Sequence, residues 1–213
     1  MTLMNNKKIQ QAREFLRQCF PGIPVPQRSY LVLMSARSGS MLLCAQLEKI
    51  GFGRPIEAFN PNKNPMFQNV WDIDYSNDYE VLKKAIEYQT VNGVMGMKFS
   101  LNQFHLFLEK GKRLLGEPGV QLTDAEVVEV FFPGTRYIHL QRRDKVKQAI
   151  SYAKAWQNGI WYEAADGGEE FKEHLLPAVY DREHIECCFD IVLSIDAAWQ
   201  DYLGQNQLQF LQV

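Results

Sequence analysis

The sequence predicts an α/β fold with a mainly parallel sheet flanked by helices. Three short apolar runs, each typical of a buried strand, alternate with stretches of helical periodicity and cover residues 29–34, 94–99 and 135–141. Such alternation places parallel strands in the middle and helices on both faces. The chain has 213 residues, of which 46% are hydrophobic and 23% are charged. This is enough for one domain with a buried core.

Helices and strands alternate through the first half of the chain. The first helix covers 5–20, and a Pro-rich segment ends it. The first strand, 29–34, leads through a short loop into a helix over 41–50 that Gly51 ends. A helix over 78–92 precedes the second strand. The residues expected to face the core from these helices are Ile9, Ala12, Leu16, Cys19, Leu42, Leu43, Leu47, Ile50, Val81, Leu82, Ala85, Ile86 and Gln89.

The second half of the chain repeats this alternation. A helix over 102–115 follows the second strand, and a long helix precedes a last apolar stretch over 207–213, which is predicted to be a strand. Helix starts are marked by capping residues, which are Thr123 with Glu126, Asp144 and Asp181. The buried stripe of the long helix consists of Ile185, Cys188, Val192, Ile195 and Trp199.

Composition and charge exclude several classes of protein. The net charge of −2 provides no basic field for nucleic acid, and no apolar run is long enough to cross a membrane. The N-terminus has no apolar core of the kind found in signal peptides. The four cysteines form no CxxC pattern, which favours free thiols in a reducing cytoplasm over disulfides or a zinc site.

The loop after the first strand has the composition of an anion-binding loop. It contains Arg37, Ser38, Gly39 and Ser40, and the next helix follows directly. A helix N-terminus directs N–H groups and partial positive charge at one point, and a glycine lets a ligand approach the backbone. Serine hydroxyls and a guanidinium add further donors. Phosphate or sulfate fits this loop, although an ordinary strand-to-helix connection remains an equal alternative on this evidence alone.

This loop is not the Walker A motif of ATP-binding and GTP-binding proteins. That motif, GxxxxGK[ST], needs a lysine for the terminal phosphates and a hydroxyl for magnesium. Here Arg37 precedes Gly39, and no Gly-Lys-Ser/Thr follows. The strand 135–141 ends in Arg142 and Arg143 rather than in an acidic metal ligand. The arginines favour a second anion, so a nucleotide with phosphates at two separate positions fits the pattern.

Four motifs in a fixed order carry a family resemblance. RSGS precedes a leucine-rich helix, a G-x-P-x-E-x-F stretch comes next, and a G-x-K strand follows with Asn-Gln beyond it. The last motif is R-x-D after a strand, with Q-A-hydrophobic-S and a later Trp. The matching residues are 37–40 with Leu42 and Leu43; Gly53, Pro55, Glu57 and Phe59; Gly96, Lys98, Asn102 and Gln103; and Arg142, Asp144, Gln148, Ala149, Ile150, Ser151 and Trp161. From residue 28 to 213 the chain therefore resembles the Stf0 family of sulfotransferases, which use 3′-phosphoadenosine-5′-phosphosulfate (PAPS).

This resemblance implies a P-loop-NTPase-like sulfotransferase fold and roles for the matching residues. Residues 37–40 and Met41 would bind the 5′-phosphosulfate of PAPS, and Arg37 would offset charge on the leaving phosphate. Arg142 and Ser151 would bind the 3′-phosphate. No metal is expected, because a sulfuryl group carries little charge to neutralise.

The resemblance also suggests residues for the acceptor side of the reaction. The acceptor hydroxyl must lose a proton, and Glu57 is the candidate general base. Lys98 ends a strand at the same edge and is expected to contact the sulfuryl group or the acceptor. His105 is expected to be a packed helix residue and His139 a structural one. The aromatic residues after Arg142, which suit either a sugar face or packing at a helix end, are Trp156, Trp161 and Tyr162.

The expected domain organisation is one sulfotransferase-like domain over 1–213, with an N-terminal helix and linker over 1–27. The family continues beyond the position of residue 213, and that segment is expected to be absent here. The acceptor class implied is a carbohydrate or glycolipid, and a homodimer is compatible with the family. Two alternatives stay open: a non-catalytic relative that binds the nucleotide, and a P-loop kinase or NTPase.

Overall fold

The computed structural model describes residues 3–60, 71–116, 121–161 and 177–213. Within these residues, strands and helices alternate as an α/β fold requires. The elements in chain order are α1 (Leu3–Cys19), β1 (Arg28–Met34), α2 (Ser40–Lys49), α3 (Asp78–Gln89), β2 (Thr90–Val91), β3 (Val94–Phe99), α4 (Leu101–Leu114), α5 (Asp124–Phe131), β4 (Arg136–Leu140), α6 (Lys145–Asn158), α7 (Arg182–Gln205) and β5 (Phe210–Gln212).

The described strands form one five-stranded sheet in the order β2-β3-β1-β4-β5. All neighbouring pairs are parallel except β2 with β3. In the central register, Val32 of β1 pairs with Lys98 of β3 and with Ile138 of β4. Because β3, β1 and β4 run in the same direction, the segments that follow them meet at one edge of the sheet. The predicted fold class, a mainly parallel sheet flanked by helices, is confirmed.

The two faces of the sheet are covered unequally. One face carries Leu31 and Leu33 and belongs to a large core to which α1, α3, α4, α5 and α7 also contribute. The other face carries Tyr30 and Val32 and is covered by Leu43 and other residues of α2. Each large apolar side chain that is fully buried in such a core contributes about 1.5–3 kcal/mol to stability. The larger core therefore holds most of the stabilising contacts among the described residues.

Most predicted elements lie within a few residues of their observed bounds. The capping box at the start of α5 is present, since Thr123 accepts from the Glu126 N–H and Glu126 accepts from the Thr123 N–H. Asp144 and Asp181 cap α6 and α7 as expected. These caps depend on neighbours three residues away, which is why sequence alone identifies them.

Three predicted core residues are exposed instead. Leu42 and Ile50 are each 70% exposed, and Cys19 is also exposed. Helix α2 has apolar residues on more than one side, and only the side with Leu43 and Leu47 packs on the sheet. The end of the predicted helix 78–92 also differs, because its last residues form the short strand β2.

Candidate functional site

The loop between β1 and α2 presents open hydrogen-bond donors at the carboxyl edge of the sheet. Arg37 and Gly39 have left-handed φ angles of 62° and 92°, and turns of this kind direct successive N–H groups to one side. Among the described residues no side chain caps the start of α2, so its first N–H groups remain available to a ligand. The Ser38 hydroxyl oxygen is buried and has no hydrogen-bond partner within the described part of the chain. An added Cβ at Gly39 would contact no atom of the described ranges within 4 Å. These donors and this open space fit a phosphate or sulfate group.

Helix α6 holds this loop from the side. Arg37 Nε donates to Ser151 Oγ over 2.9 Å, and Arg37 Nη1 donates to the Trp161 carbonyl. Gln148 lies one turn before Ser151, and its Nε2 donates to Ser35 Oγ over 3.0 Å and to the Ala36 carbonyl over 2.7 Å. The first and the last of the four sequence motifs therefore meet in space.

Arg142 lies two residues beyond β4 at the same edge of the sheet. It is half-buried, and within the described ranges it forms no hydrogen bond or ion pair. The Lys147 N–H donates to Asp144 and holds the pKa of that carboxyl below its usual value. The charges of Lys147 and Arg142 act in the same direction. Arg142 is therefore close to the start of α6, with its guanidinium available to an anion.

A buried ion pair lies at this edge, between Lys98 and Glu57. The Lys98 side chain is 3% exposed, and its Nζ lies 3.6 Å from Glu57 Oε1, whose side chain is 13% exposed. Lys98 Nζ also donates to Met41 Sδ over 3.1 Å, and Asn60 Nδ2 donates to Glu57 Oε2 over 3.2 Å. Burial raises the pKa of the nearby Cys44 thiol to about 11, and the Lys98 charge partly opposes this. The thiol is therefore neutral, and the charges of this cluster belong to the ion pair.

The position of Glu57 follows from a close backbone approach between its segment and β3. Gly53 has a φ of 77°, and a Cβ there would lie 2.6 Å from the Gly96 backbone nitrogen. Only glycine fits this contact without displacing the strand. Three residues later, the Ile56 carbonyl accepts from the Lys98 N–H over 3.2 Å. The backbone is thus fixed against β3 at two points just before Glu57, which places Glu57 beside Lys98.

The described structure brings most of the predicted site residues into two adjacent groups, whereas Arg142 forms no hydrogen bond or ion pair with either group among the described residues. The first contains the loop 37–40 and Ser151, and the second contains Lys98 and Glu57. Met41 connects them, since it follows the loop directly and contacts Lys98. Gln148 and Asn60 also hydrogen-bond in these groups, although no role was predicted for either from the sequence. For Gln148 the available signal was its place one turn before Ser151 in the Q-A-I-S motif, and for Asn60 there was none.

The two histidines singled out in the sequence lie in different environments. His105 is exposed on α4, contrary to the expectation of a packed helix residue, because the apolar residues around it face the core without it. His139 is fully buried in β4, which agrees with a structural role. Burial lowers the pKa of His139, the Lys145 charge acts in the same direction, and the Asp196 carboxylate opposes both.

An aromatic cluster lies beside Arg37 at the end of α6. Trp156 and Trp161 pack edge to face with their ring centroids 5.5 Å apart, and Tyr152 contacts both rings. Both tryptophans remain partly exposed. Tyr162, predicted with them, lies outside the described residues. The rings thus pack at a helix end and also offer an aromatic surface.

Two further features are absent from the described part of the chain. No helix within it combines the length and the apolar character that a membrane crossing requires. No group of three or more His, Cys, Asp or Glu side chains within it is placed to hold a metal ion. The expectation of a reaction without a metal stays a prediction.

Comparisons with known proteins agree with the motifs at this edge. The family model of the Stf0 sulphotransferases matches residues 29–213. The trehalose 2-sulfotransferase of Mycolicibacterium smegmatis is 34% identical in an alignment of 157 residues that covers 62% of this chain and 58% of that protein. The enzyme of the same name from Mycobacterium tuberculosis is 29% identical in an alignment of 158 residues that covers 63% of this chain and 59% of that protein. The chain thus spans less than two thirds of the length of these curated relatives. With most of its length matched by the family model, the chain belongs to the Stf0 sulphotransferase family.

Proposed function

We propose that this chain transfers a sulfuryl group from PAPS to a hydroxyl group of a carbohydrate or glycolipid. The observation that carries the proposal is the buried Lys98–Glu57 pair beside the anion-binding loop. Removing two charges from water costs free energy, so a buried pair in a site of this kind favours a functional use. Membership of the Stf0 family supports the sulfuryl chemistry, and the names of the two relatives support a carbohydrate acceptor.

The loop and Arg37 act on the donor side. When bound, PAPS supplies an activated sulfuryl group whose transfer leaves negative charge on the 5′-phosphate. The N–H groups of Ser38, Gly39 and Ser40 hold that phosphate at the start of α2, together with the hydroxyls of the two serines. The fixed charge of Arg37 stabilises the negative charge that develops as the S–O bond breaks.

Arg142 and Ser151 bind the 3′-phosphate in this proposal. Arg142 contributes a charged donor with no competing partner among the described side chains. Ser151 accepts a hydrogen bond from Arg37 Nε and keeps its own hydroxyl proton for a phosphate oxygen. Ser151 therefore connects the two phosphate positions.

Glu57 and Lys98 act on the acceptor side. Glu57 accepts the proton of the attacking hydroxyl while the oxygen of that hydroxyl forms the new S–O bond. Asn60 and Lys98 each engage one carboxylate oxygen, which fixes the orientation of Glu57. Lys98 also places positive charge where the sulfuryl oxygens need it during transfer.

Two measurements test the proposal together. Calorimetry compares adenosine 3′,5′-bisphosphate with ATP–magnesium, and a transfer assay with labelled PAPS uses trehalose and a panel of other sugars and glycolipids. We expect binding of the bisphosphate and sulfate transfer to at least one sugar. Binding of ATP–magnesium without binding of the bisphosphate would favour a P-loop NTPase. Binding of the bisphosphate without any transfer would indicate a non-catalytic relative.

We also propose that the reaction takes place in the cytoplasm. Cys19, Cys44, Cys187 and Cys188 are all free thiols. Proteins that function in oxidising compartments commonly pair such residues. Fractionation of the cells that express the chain tests this location.

A further inference from the structure

We propose that Gln148 is a positioning residue that holds the anion-binding loop in the conformation that receives the 5′-phosphate. This inference rests on the proposed function of the loop. Gln148 lies in the first half of α6, and its side chain is fully buried. Its Oε1 has no hydrogen-bond partner among the described residues, so the partners of its amide nitrogen show what the side chain holds.

Both partners of the Gln148 amide nitrogen lie in the loop. Nε2 donates to Ser35 Oγ over 3.0 Å and to the Ala36 carbonyl over 2.7 Å. An amide NH₂ group has two hydrogens, so it satisfies both acceptors at once. Gln148 thereby fixes the two residues that directly precede Arg37.

The conformation of Arg37 requires such support. Its φ of 62° is left-handed, which is unfavourable for any residue with a Cβ. Local sequence does not select this conformation, so contacts from elsewhere must hold it. Gln148 holds the backbone before Arg37, and Ser151 holds the Arg37 side chain. Gln148 and Ser151 are three residues apart and share one face of the helix.

The contacts predict a selective defect when the amide of Gln148 is lost. The backbone at Ser35 and Ala36 would lose its side-chain donor, and Arg37 with the N–H groups after it would sample other orientations. A ligand with a 5′-phosphate uses these N–H groups. A ligand with only a 3′-phosphate uses Arg142 and Ser151, and the hydrogen bonds of the Gln148 amide nitrogen go to Ser35 and Ala36 instead. Affinity for the first ligand should therefore fall more than affinity for the second.

The test compares two variants on the same helix. Gln148→Met keeps the length of the side chain and removes both donors. Gln157→Met is the matched control, since Gln157 Nε2 also donates to a backbone carbonyl, that of Val179, over 3.0 Å. Hydrogen–deuterium exchange of the loop peptide 35–41 is measured without nucleotide. Calorimetry then gives the affinities for adenosine 3′,5′-bisphosphate and adenosine 3′-monophosphate.

We expect faster exchange of the loop peptide in Gln148→Met and wild-type exchange in Gln157→Met. Affinity for the bisphosphate should fall about tenfold in Gln148→Met, as expected for a lost hydrogen-bond network at a binding site. Affinity for the 3′-monophosphate should stay within about twofold, because its contacts are kept. Both affinities should be unchanged in the control.

Unchanged loop exchange in Gln148→Met would overturn the inference, as would equal losses of affinity for both nucleotides. If this variant does not fold, Ser35→Ala is measured instead. It removes one acceptor of the Gln148 amide and keeps the hydrogen bond from Gln148 to the Ala36 carbonyl. It should lower the affinity for the bisphosphate selectively, by about threefold. An unchanged ratio of affinities in Ser35→Ala would then overturn the inference. A wild-type chain that binds no bisphosphate would contradict the proposed function instead, while the exchange measurement still decides the contact between Gln148 and the loop.

Discussion

Replacing Glu57 with glutamine removes the proposed base while keeping the size and shape of the side chain. In the wild-type chain, Lys98 and Asn60 each contact one carboxylate oxygen of Glu57. The amide oxygen of the glutamine can still face one of these two residues. The residues proposed to bind the donor phosphates lie in other segments, at the loop and on α6. The change therefore acts on the acceptor side of the site.

Two magnitudes follow from this geometry. Loss of a positioned base should lower kcat by about 10²–10⁴-fold. The attraction between Lys98 and Glu57 at 3.6 Å is roughly 5 kcal/mol before desolvation, at an effective dielectric constant of about 20. Glu57→Gln leaves the buried Lys98 charge without its carboxylate partner, so we expect a loss of about 3–5 kcal/mol in the free energy of unfolding. For a domain of this size, that loss lowers Tm by roughly 6–20 °C.

The assay measures transfer of labelled sulfate from PAPS across pH, together with calorimetric affinity for adenosine 3′,5′-bisphosphate. In Glu57→Gln we expect an affinity within about threefold of wild type and no acid limb in the pH–rate profile. Glu48→Gln is the matched control, since Glu48 forms an exposed ion pair with Arg54 at 2.7 Å. That control should change kcat by less than about twofold and stability by at most about 1 kcal/mol.

A kcat of Glu57→Gln above about half the wild-type value at neutral pH would refute the role of Glu57 as general base, because it lies far above the expected range. Retained activity with the expected loss of stability would leave Glu57 as the structural partner of Lys98. The exposed His105 would then be the next candidate base to replace.

The remaining predictions concern the anion sites, the backbone and the buried histidine. Arg142→Ala should weaken binding of the bisphosphate by about 1.5–3 kcal/mol with little change in kcat. Arg37→Ala should lower kcat more than it lowers affinity. If both variants lower affinity equally and leave turnover unchanged, the assignment of two anion sites is contradicted. Gly53→Ala should lower the free energy of unfolding, measured with urea, by more than about 2 kcal/mol, because the position combines a left-handed φ with a backbone clash. Gly159 has a similar φ but open space around it among the described residues, so Gly159→Ala should lower this free energy by only about 1 kcal/mol. Burial lowers the pKa of His139 in the folded chain. Below the ordinary histidine pKa of 6.5, the unfolded chain therefore binds more protons than the folded chain. The free energy of unfolding should fall as pH falls from 6.5, by at most about 1.4 kcal/mol per pH unit. His139→Phe should flatten this decline, and equal slopes in urea unfolding between pH 7.5 and pH 5.5 would show that another group causes it.

Local sequence was sufficient for the elements of the fold. Strand β3 has the predicted bounds, and the residues expected to face the core from α3 are all buried. Capping at Thr123, Asp144 and Asp181 was also predicted, because each cap bonds to an N–H group three residues later. Apolar periodicity failed on α2, where Leu42 and Ile50 are exposed. Periodicity shows which residues share a side of a helix, and the sheet decides which of those sides it covers.

The sequence by itself determined the composition of the site: a loop with Arg37 and Gly39 after one strand, Lys98 in a second, and basic residues after a third. Only the tertiary structure decided which of these groups touch. Arg37 and Ser151 are 114 residues apart in sequence, and Lys98 and Met41 are 57 apart, yet each pair is in hydrogen-bond contact. Contacts of this kind depend on sheet order and strand register, which the parallel pairing of β3, β1 and β4 fixes. They also depend on the close approach at Gly53, because without it the segment carrying Glu57 could not lie against the strand that carries Lys98.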